Sequence, residues 1–171
     1  FKKNGKYYVI PENNKKGINL YEIKFNDEEL TAVFITNLLE GALAEPSYIH
    51  HDNHDFLFIN SEDRNILRLF YSKDIITQKL IEHPMSPIIV DSRFARGAGR
   101  IFNDKNKIVR PSQNLSSKYG GGIIFSYITI STSYFKNIPT IFNIKTDKNL
   151  QLVHHFDFNE EIMAIDGVLK K

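Results

Sequence analysis

The sequence contains no cysteine. That excludes a disulfide frame, a thiol nucleophile and a cysteine zinc site. It fits a reducing, cytoplasmic setting, which is the expected localisation. No apolar run is long enough to cross a bilayer and no charged-then-apolar leader opens the chain, so no membrane span is expected. Charge of one sign is also scarce: 22 basic side chains against 20 acidic ones leave a formal net charge of +2. Nucleic-acid binding calls for a basic stripe or a larger excess, and nucleic acid is therefore not an expected partner. A nucleotide-binding glycine loop, a phosphate-loop lysine and a Ser–His–Asp arrangement are all missing. Gly97-Ala98-Gly99 is too short for a dinucleotide site. No cofactor and no metal is expected. Helix signals are weak: Asp74 to His83 reads either as a short helix capped by Asp74 or as an outer strand that Pro84 ends.

What the sequence has is β pattern. With 171 residues, 42% hydrophobic and 25% charged, it can bury one real core. Tyr7 to Ile10 forms a short strand after the hairpin signal Asn4-Gly5. A polar loop, Asn13 to Gly17, follows. Ile18 to Phe25 and Thr31 to Leu39 are further strands, separated by the acidic turn Asn26 to Glu29. Phe56 to Ile59 then repeats Tyr7 to Ile10 at an offset of 49 residues. At the same offset Leu67 follows Ile18, Leu69 follows Leu20, and Asn53 matches Asn4. Looser copies start at Lys107, with Ile123 to Ile128 as second strand, and at His154. Thr129 to Asn137 reads as one more strand. Val153 to Asp166 reads as an extended pair turning near Asn159. Strand-rich units of this period mark the blades of a β-propeller; a meander of hairpins in a sandwich is the alternative. The chain starts at Phe1 rather than Met. We expect residues 1–171 to form a single propeller-like domain covering three to four blades of a longer propeller.

Function gathers in the stretch from His83 to Gly122. Arg93, Arg96, Arg100 and Arg110 stand near Asp91, Gln113 and Tyr119, among five glycines. The forked guanidinium suits carboxylate or phosphate, and glycine allows close approach. This stretch reads as the wall of a polar cleft. Arg93, Arg96, Arg110 and Gln113 are expected to line an anionic-sugar site, with Tyr119 stacking on a sugar face. The competing reading is that Arg93 and Arg96 brace neighbouring units by pairing with Asp91 or a carbonyl. His50, His51 and His54 with Asp52 and Asp55 are better explained as a polar exposed hairpin turn than as a metal site.

Several of these residues together resemble one family. They are Gly5-Lys6-Tyr7-Tyr8-Val9-Ile10-Pro11-Glu12, Leu20-Tyr21, His83-Pro84, Asp91 through Arg100, Arg110-Pro111-Ser112-Gln113, Tyr119-Gly120 and Ile165-Asp166-Gly167. The pattern is similar to the N-terminal domain of glucosamine inositolphosphorylceramide transferases and its bacterial relatives. The resemblance implies a five-bladed β-propeller akin to family-43 and family-32 glycoside hydrolases. It also implies a glycosyltransferase context in which transfer chemistry belongs to a separate domain. The implied partners are an anionic glycan or phosphosugar, together with remaining blades or a fused transferase domain.

Three functions follow. The first is a carbohydrate-recognising propeller of a glycan or glycolipid assembly enzyme. The second is a glycosidase-like enzyme using paired carboxylates from Glu12, Glu45 and Asp91. The third is a structural interaction module. Two carboxyls facing across an open cavity favour the second; acids locked to arginines favour binding or bracing.

Overall fold

The computed structural model describes residues 1–12, 17–26, 28–61 and 65–169. The structure is all-β: among the described residues no segment is helical. Four antiparallel sheets follow one another along the chain. The first holds β1 (Lys2–Lys3), β2 (Lys6–Val9), β3 (Ile18–Phe25) and β4 (Leu30–Leu39). The second holds β5 (Leu43–His51), β6 (His54–Ser61), β7 (Ile66–Ser72) and two short outer strands, β8 (Ile81–Glu82) and β9 (Ile89–Val90). The third holds β10 (Phe102–Asp104), β11 (Lys107–Gln113), β12 (Gly122–Ile130) and β13 (Phe135–Lys145). The fourth pairs β14 (Leu150–Phe158) with β15 (Met163–Leu169).

The repeat is real but slips by one residue. Tight turns at Asn4-Gly5 and Asp52-Asn53 close the first hairpins of sheets one and two. Both residues of each turn have positive φ, as a right-twisted two-residue hairpin requires. Asn4 therefore corresponds to Asp52, not to Asn53, and the first hairpins stand 48 residues apart. The following strands keep the offset of 49: Ile18 and Leu20, like Leu67 and Leu69, are buried. The Asp74 segment is not a helix: it makes one turn and then the short outer strand β8. Asp74 accepts from the Ile76 amide and the Thr77 hydroxyl in a single turn, and β8 follows. Thr129 to Asn137 is not one strand, because a turn at Ser131 to Tyr134 divides β12 from β13. His154 lies inside β14 rather than at its start. Asn13 to Lys16 lie outside the described residues.

Consecutive sheets pack face to face through three apolar clusters. Sheets one and two meet around Ile18, Leu57, Ile59 and Phe70. Sheets two and three meet around Phe56, Phe58, Leu67, Ile108 and Ile128. Sheets three and four meet around Ile123, Val153 and Phe156. β6 supplies both of the first two clusters, with alternate side chains pointing to opposite faces. That is why Asp55 through Asn60 are all buried. Each fully buried apolar side chain of this run, Phe56 through Ile59, contributes about 1.5–3 kcal/mol.

The segment Ala95–Ile101 joins sheets two, three and four. Gln113 N–H donates to Arg96 C=O, Ala98 N–H to Pro111 C=O, and Phe156 N–H to Ala98 C=O. Gly97 N–H donates to the Asn60 side chain. Gly99 has φ +130, and a Cβ there would lie 2.0 Å from the Phe156 carbonyl oxygen. Two buried side chains fasten this segment. Gln113 Nε2 donates to Gly97 C=O at 2.9 Å. Arg110, 1% exposed, donates to the carbonyls of Phe94 and Ala95, both at 2.6 Å. Burial pulls the Arg110 guanidinium down to about 9, so it still carries its charge at neutral pH.

A second polar fastener ties sheet one to sheet two. Asp55 is fully buried, not exposed in a turn. Its carboxylate accepts from Lys3 Nζ, Tyr48 OH, His50 Nδ1 and the Ile75 amide, and Lys3 also reaches Asp74 at 2.8 Å. Burial alone raises Asp55; the bonds from Lys3, Ile75, His50 and Tyr48 outweigh it and leave the carboxyl below its ordinary value. Burial and the bond to Asp55 push the Tyr48 phenol upward.

Three outcomes follow from these fasteners. Gly99→Ala must displace the Phe156 backbone and is expected to cost at least about 2 kcal/mol, read from the urea midpoint. Arg110→Ala removes the guanidinium donor from the Phe94 and Ala95 carbonyls, the second of them buried, and is expected to cost about 2–5 kcal/mol. Because Asp55 is depressed when folded, its stabilisation is complete above its unfolded value of about 3.9 and is lost as pH falls through the lower folded value. Urea melts from pH 7 down to pH 2 are expected to show that loss in the wild type and a flatter profile in Asp55→Asn.

Candidate functional site

The four sheets leave a cleft of about 670 Å³ between them. Sheet one lines it with Lys2, Tyr8 and the following Glu12, and β5 with Glu45 through His50. The segment Gly97–Ile101 forms another wall, and His155 and Asp157 of β14 complete it. Cleft volumes of this size accommodate small polar ligands.

Glu45 sits where β5 is irregular. Its φ is +54, uncommon for a residue with a side chain, and the β5–β6 register shifts between Ala44 and Ser47. Such bulges re-aim side chains at strand ends. Here Glu45 turns to Arg96, whose Nε and Nη2 donate to the same oxygen at 2.9 and 2.6 Å. The Glu45 amide donates to Glu12 at 3.3 Å, which brings the two glutamates together at the cleft. The Arg96 guanidinium lies 4.8 Å from the Tyr119 ring centroid. His154 approaches the same ring at 4.6 Å. Both neighbours crowd the ring that was expected to stack on a sugar.

Asp91 and Arg93 form a closed pair of their own. Arg93 Nη2 donates to Asp91 Oδ2 at 2.7 Å and its backbone amide to Oδ1 at 2.8 Å. The hydrogen bond from Arg93 holds the Asp91 carboxyl below its ordinary value. This pair lies on a turn and is not among the residues lining the cleft.

The expected site residues thus separate into three places. Glu12 and Glu45 reach the cleft, with Arg96 and Tyr119 immediately behind Glu45. Asp91 and Arg93 stand apart at the surface. Arg110 and Gln113 are buried core fasteners bonded to backbone carbonyls. Sequence reasoning underrated Arg100. It is on the cleft, 53% exposed along its side chain, and donates to Asp157 Oδ1 at 2.9 Å and to the Phe158 carbonyl. His50, Tyr48 and Asp157 were also missed as wall residues. For His50 a signal existed: a two-residue turn at Asp52-Asn53 places it directly across from Asp55. No cluster of three or more metal-ligating side chains occurs among the described residues.

Comparison with known proteins gives one consistent answer. The family described as glucosamine inositolphosphorylceramide transferase 1, N-terminal, matches residues 1–159. The chain is 26% identical over 173 residues to glucosamine inositolphosphorylceramide transferase 1 of Oryza sativa subsp. japonica, covering 92% of this chain and 23% of that protein. It is 26% identical over 190 residues to the protein of that name from Arabidopsis thaliana, covering 98% of this chain and 24% of the relative. The chain spans about a quarter of the length of these relatives. No solved structure matches it. A match that takes in the two glutamates, the Arg96 segment and all of β14 leaves little of the chain outside it, and the chain belongs to the glucosamine inositolphosphorylceramide transferase 1 N-terminal family.

Proposed function

We propose that this chain is the carbohydrate-recognising part of a glycolipid glycosyltransferase and that its cleft takes an anionic sugar or phosphosugar. The four sheets are read as blades of a five-bladed β-propeller, of which residues 1–171 supply three to four. Support for that reading comes from the cleft walls. Each successive sheet, or the segment leading into it, contributes its inner edge to one shared cavity.

The observation that carries recognition over hydrolysis is the state of the acids. Hydrolysis needs one carboxyl free to give a proton and a second free to act as base or nucleophile. Glu45 is held by two bonds from Arg96, and Asp91 by its pair with Arg93. Arg100 remains with half of its side chain open to the cleft and N–H groups suited to a carboxylate or phosphate. The nearness of Glu12 to Glu45 is the one feature that favours the glycosidase reading. In that reading Glu12→Gln abolishes release of a glycan, whereas in the recognition reading no glycan is cleaved by the unaltered protein.

Isothermal titration with D-glucuronate, glucose 1-phosphate and neutral glucose tests the proposal. Arg100→Ala is expected to weaken anion binding about tenfold, or about 1.4 kcal/mol, while leaving affinity for glucose unchanged. Equal affinity of wild type and variant for both anions, or no binding of any of the three, would overturn it.

A further inference from the structure

One polar assembly at the cleft wall has no part in the binding described so far. Asp55 Oδ2 faces Lys3 Nζ and the Ile75 amide, and Oδ1 faces Tyr48 OH and His50 Nδ1, both at 2.7 Å. An ammonium and a backbone N–H can only donate, and an ionised carboxylate can only accept. Asp55 is therefore occupied as an acceptor on Oδ2 and has no proton to offer from Oδ1. His50 Nδ1, across a 2.7 Å contact, must carry the hydrogen. In a neutral imidazole the other nitrogen is then an acceptor. His50 lines the cleft and its side chain is 52% exposed. With the Nδ1 edge bound to a buried carboxylate, the open edge is the one that bears Nε2. Tyr48, also on β5 and two residues away, supports the same carboxylate from the same face of the strand.

We propose that His50, oriented by Asp55, is a ligand-binding residue of the cleft and accepts a sugar hydroxyl at Nε2. The ligand class is a hydroxylated anion, with its acidic group on Arg100 and a ring hydroxyl on His50. This rests on the recognition reading and adds to it a fixed tautomer and a second contact. Asp55 is the positioning residue: it does not reach the ligand and acts through the imidazole. The chemistry is shared by a uronate and a phosphosugar, so both serve as probes.

Two measurements test the assignment. Long-range imidazole ¹⁵N NMR of the protein, recorded at a pH where the ¹⁵N shifts themselves show a neutral ring, is expected to show His50 as the Nδ1–H form. Its Nε2 resonance is expected to move when D-glucuronate or glucose 1-phosphate is added. His50→Ala is expected to lose about tenfold in affinity for the anion that binds, and His50→Gln, which keeps an acceptor, to lose less. A thermal melt of both variants separates lost folding from lost contact, and the ligand-induced shift in the unaltered protein stands whether or not they fold. An Nε2–H tautomer, or unchanged affinity in His50→Ala, overturns the assignment while leaving sugar recognition intact. Failure of both probes to bind the unaltered protein overturns both. A response to glucuronate alone identifies a carboxylate sugar, and a response to glucose 1-phosphate alone identifies a phosphosugar; either supports the hydroxyl contact.

Discussion

The structure depends on one close approach: the backbone of Arg96–Gly99 against sheets two, three and four at once. The segment donates hydrogen bonds to Asn60 and Pro111 and accepts them from Gln113 and Phe156. Gly97 and Gly99 have no Cβ to keep those sheets away; at Gly99 even one carbon would overlap the Phe156 carbonyl. Residues on either side of this small-residue run are large and charged. Arg96 reaches back to β5, and Arg100 reaches forward to β14. One short segment thus fixes the spacing of the sheets and delivers two guanidinium groups, one behind the cleft wall and one on it.

Polar groups fasten what apolar packing alone would leave free to slide. The three apolar clusters join sheets pairwise, but dispersion is not directional. Arg110 and Asp55 supply direction. Arg110 fixes the turn carrying Phe94 and Ala95 to β11 through two carbonyls. Asp55 collects four donors from β1, β5 and the Ile75 turn. Each is buried and would be costly if left unpartnered. A register that broke either set would therefore be penalised, whereas sliding an apolar face by one residue pair would cost less. The cleft inherits this rigidity, because Tyr48 and His50 project from the strand that Asp55 secures.

Much of the strand pattern was legible. Ile18 to Phe25 coincides with β3, and the turn residues at Asn4-Gly5 carry their own conformational signature. The continuous burial of β6 was visible as an unbroken apolar run at Phe56 to Ile59. What failed was sensitive to single residues. A one-residue slip between the first hairpins is invisible to an offset search that scores residue type, and Ser131 to Tyr134 lacks the glycine or proline that announces a turn. The site was half legible. Arginines beside glycines marked the right segment, but spacing does not reveal which guanidinium is swallowed by the core. Arg110 lies within β11, where every residue after Lys107 is buried, whereas a charged side chain is ordinarily expected to face water. Its burial is made tolerable by carbonyls from a turn fifteen and sixteen residues earlier, a long-range fact. Asp55 misled for the same reason: a histidine-rich hairpin looks solvated until Lys3 arrives from the first sheet.

The division of the arginines bears on how such a cleft recognises charge. Were all of them on its wall, the field would attract any anion and discriminate poorly among them. Instead Arg96 is matched to Glu45, Arg93 to Asp91, and Arg100 in part to Asp157. The wall is left with interleaved charges: Glu12, Glu45 and Asp157 beside Lys2 and Arg100, with Tyr48 and two histidines among them. A ligand carrying one acidic group and several hydroxyls meets donors and acceptors in alternation, while a bare polyanion meets carboxylates. On the recognition proposed for this cleft, discrimination would come from the repulsive acids as much as from the attractive cations. Because these groups are contributed by separate sheets, the spacing set by Ala95–Ile101 is also the spacing of the charged groups on the cleft wall, and any change that shifts one sheet against the next alters both together.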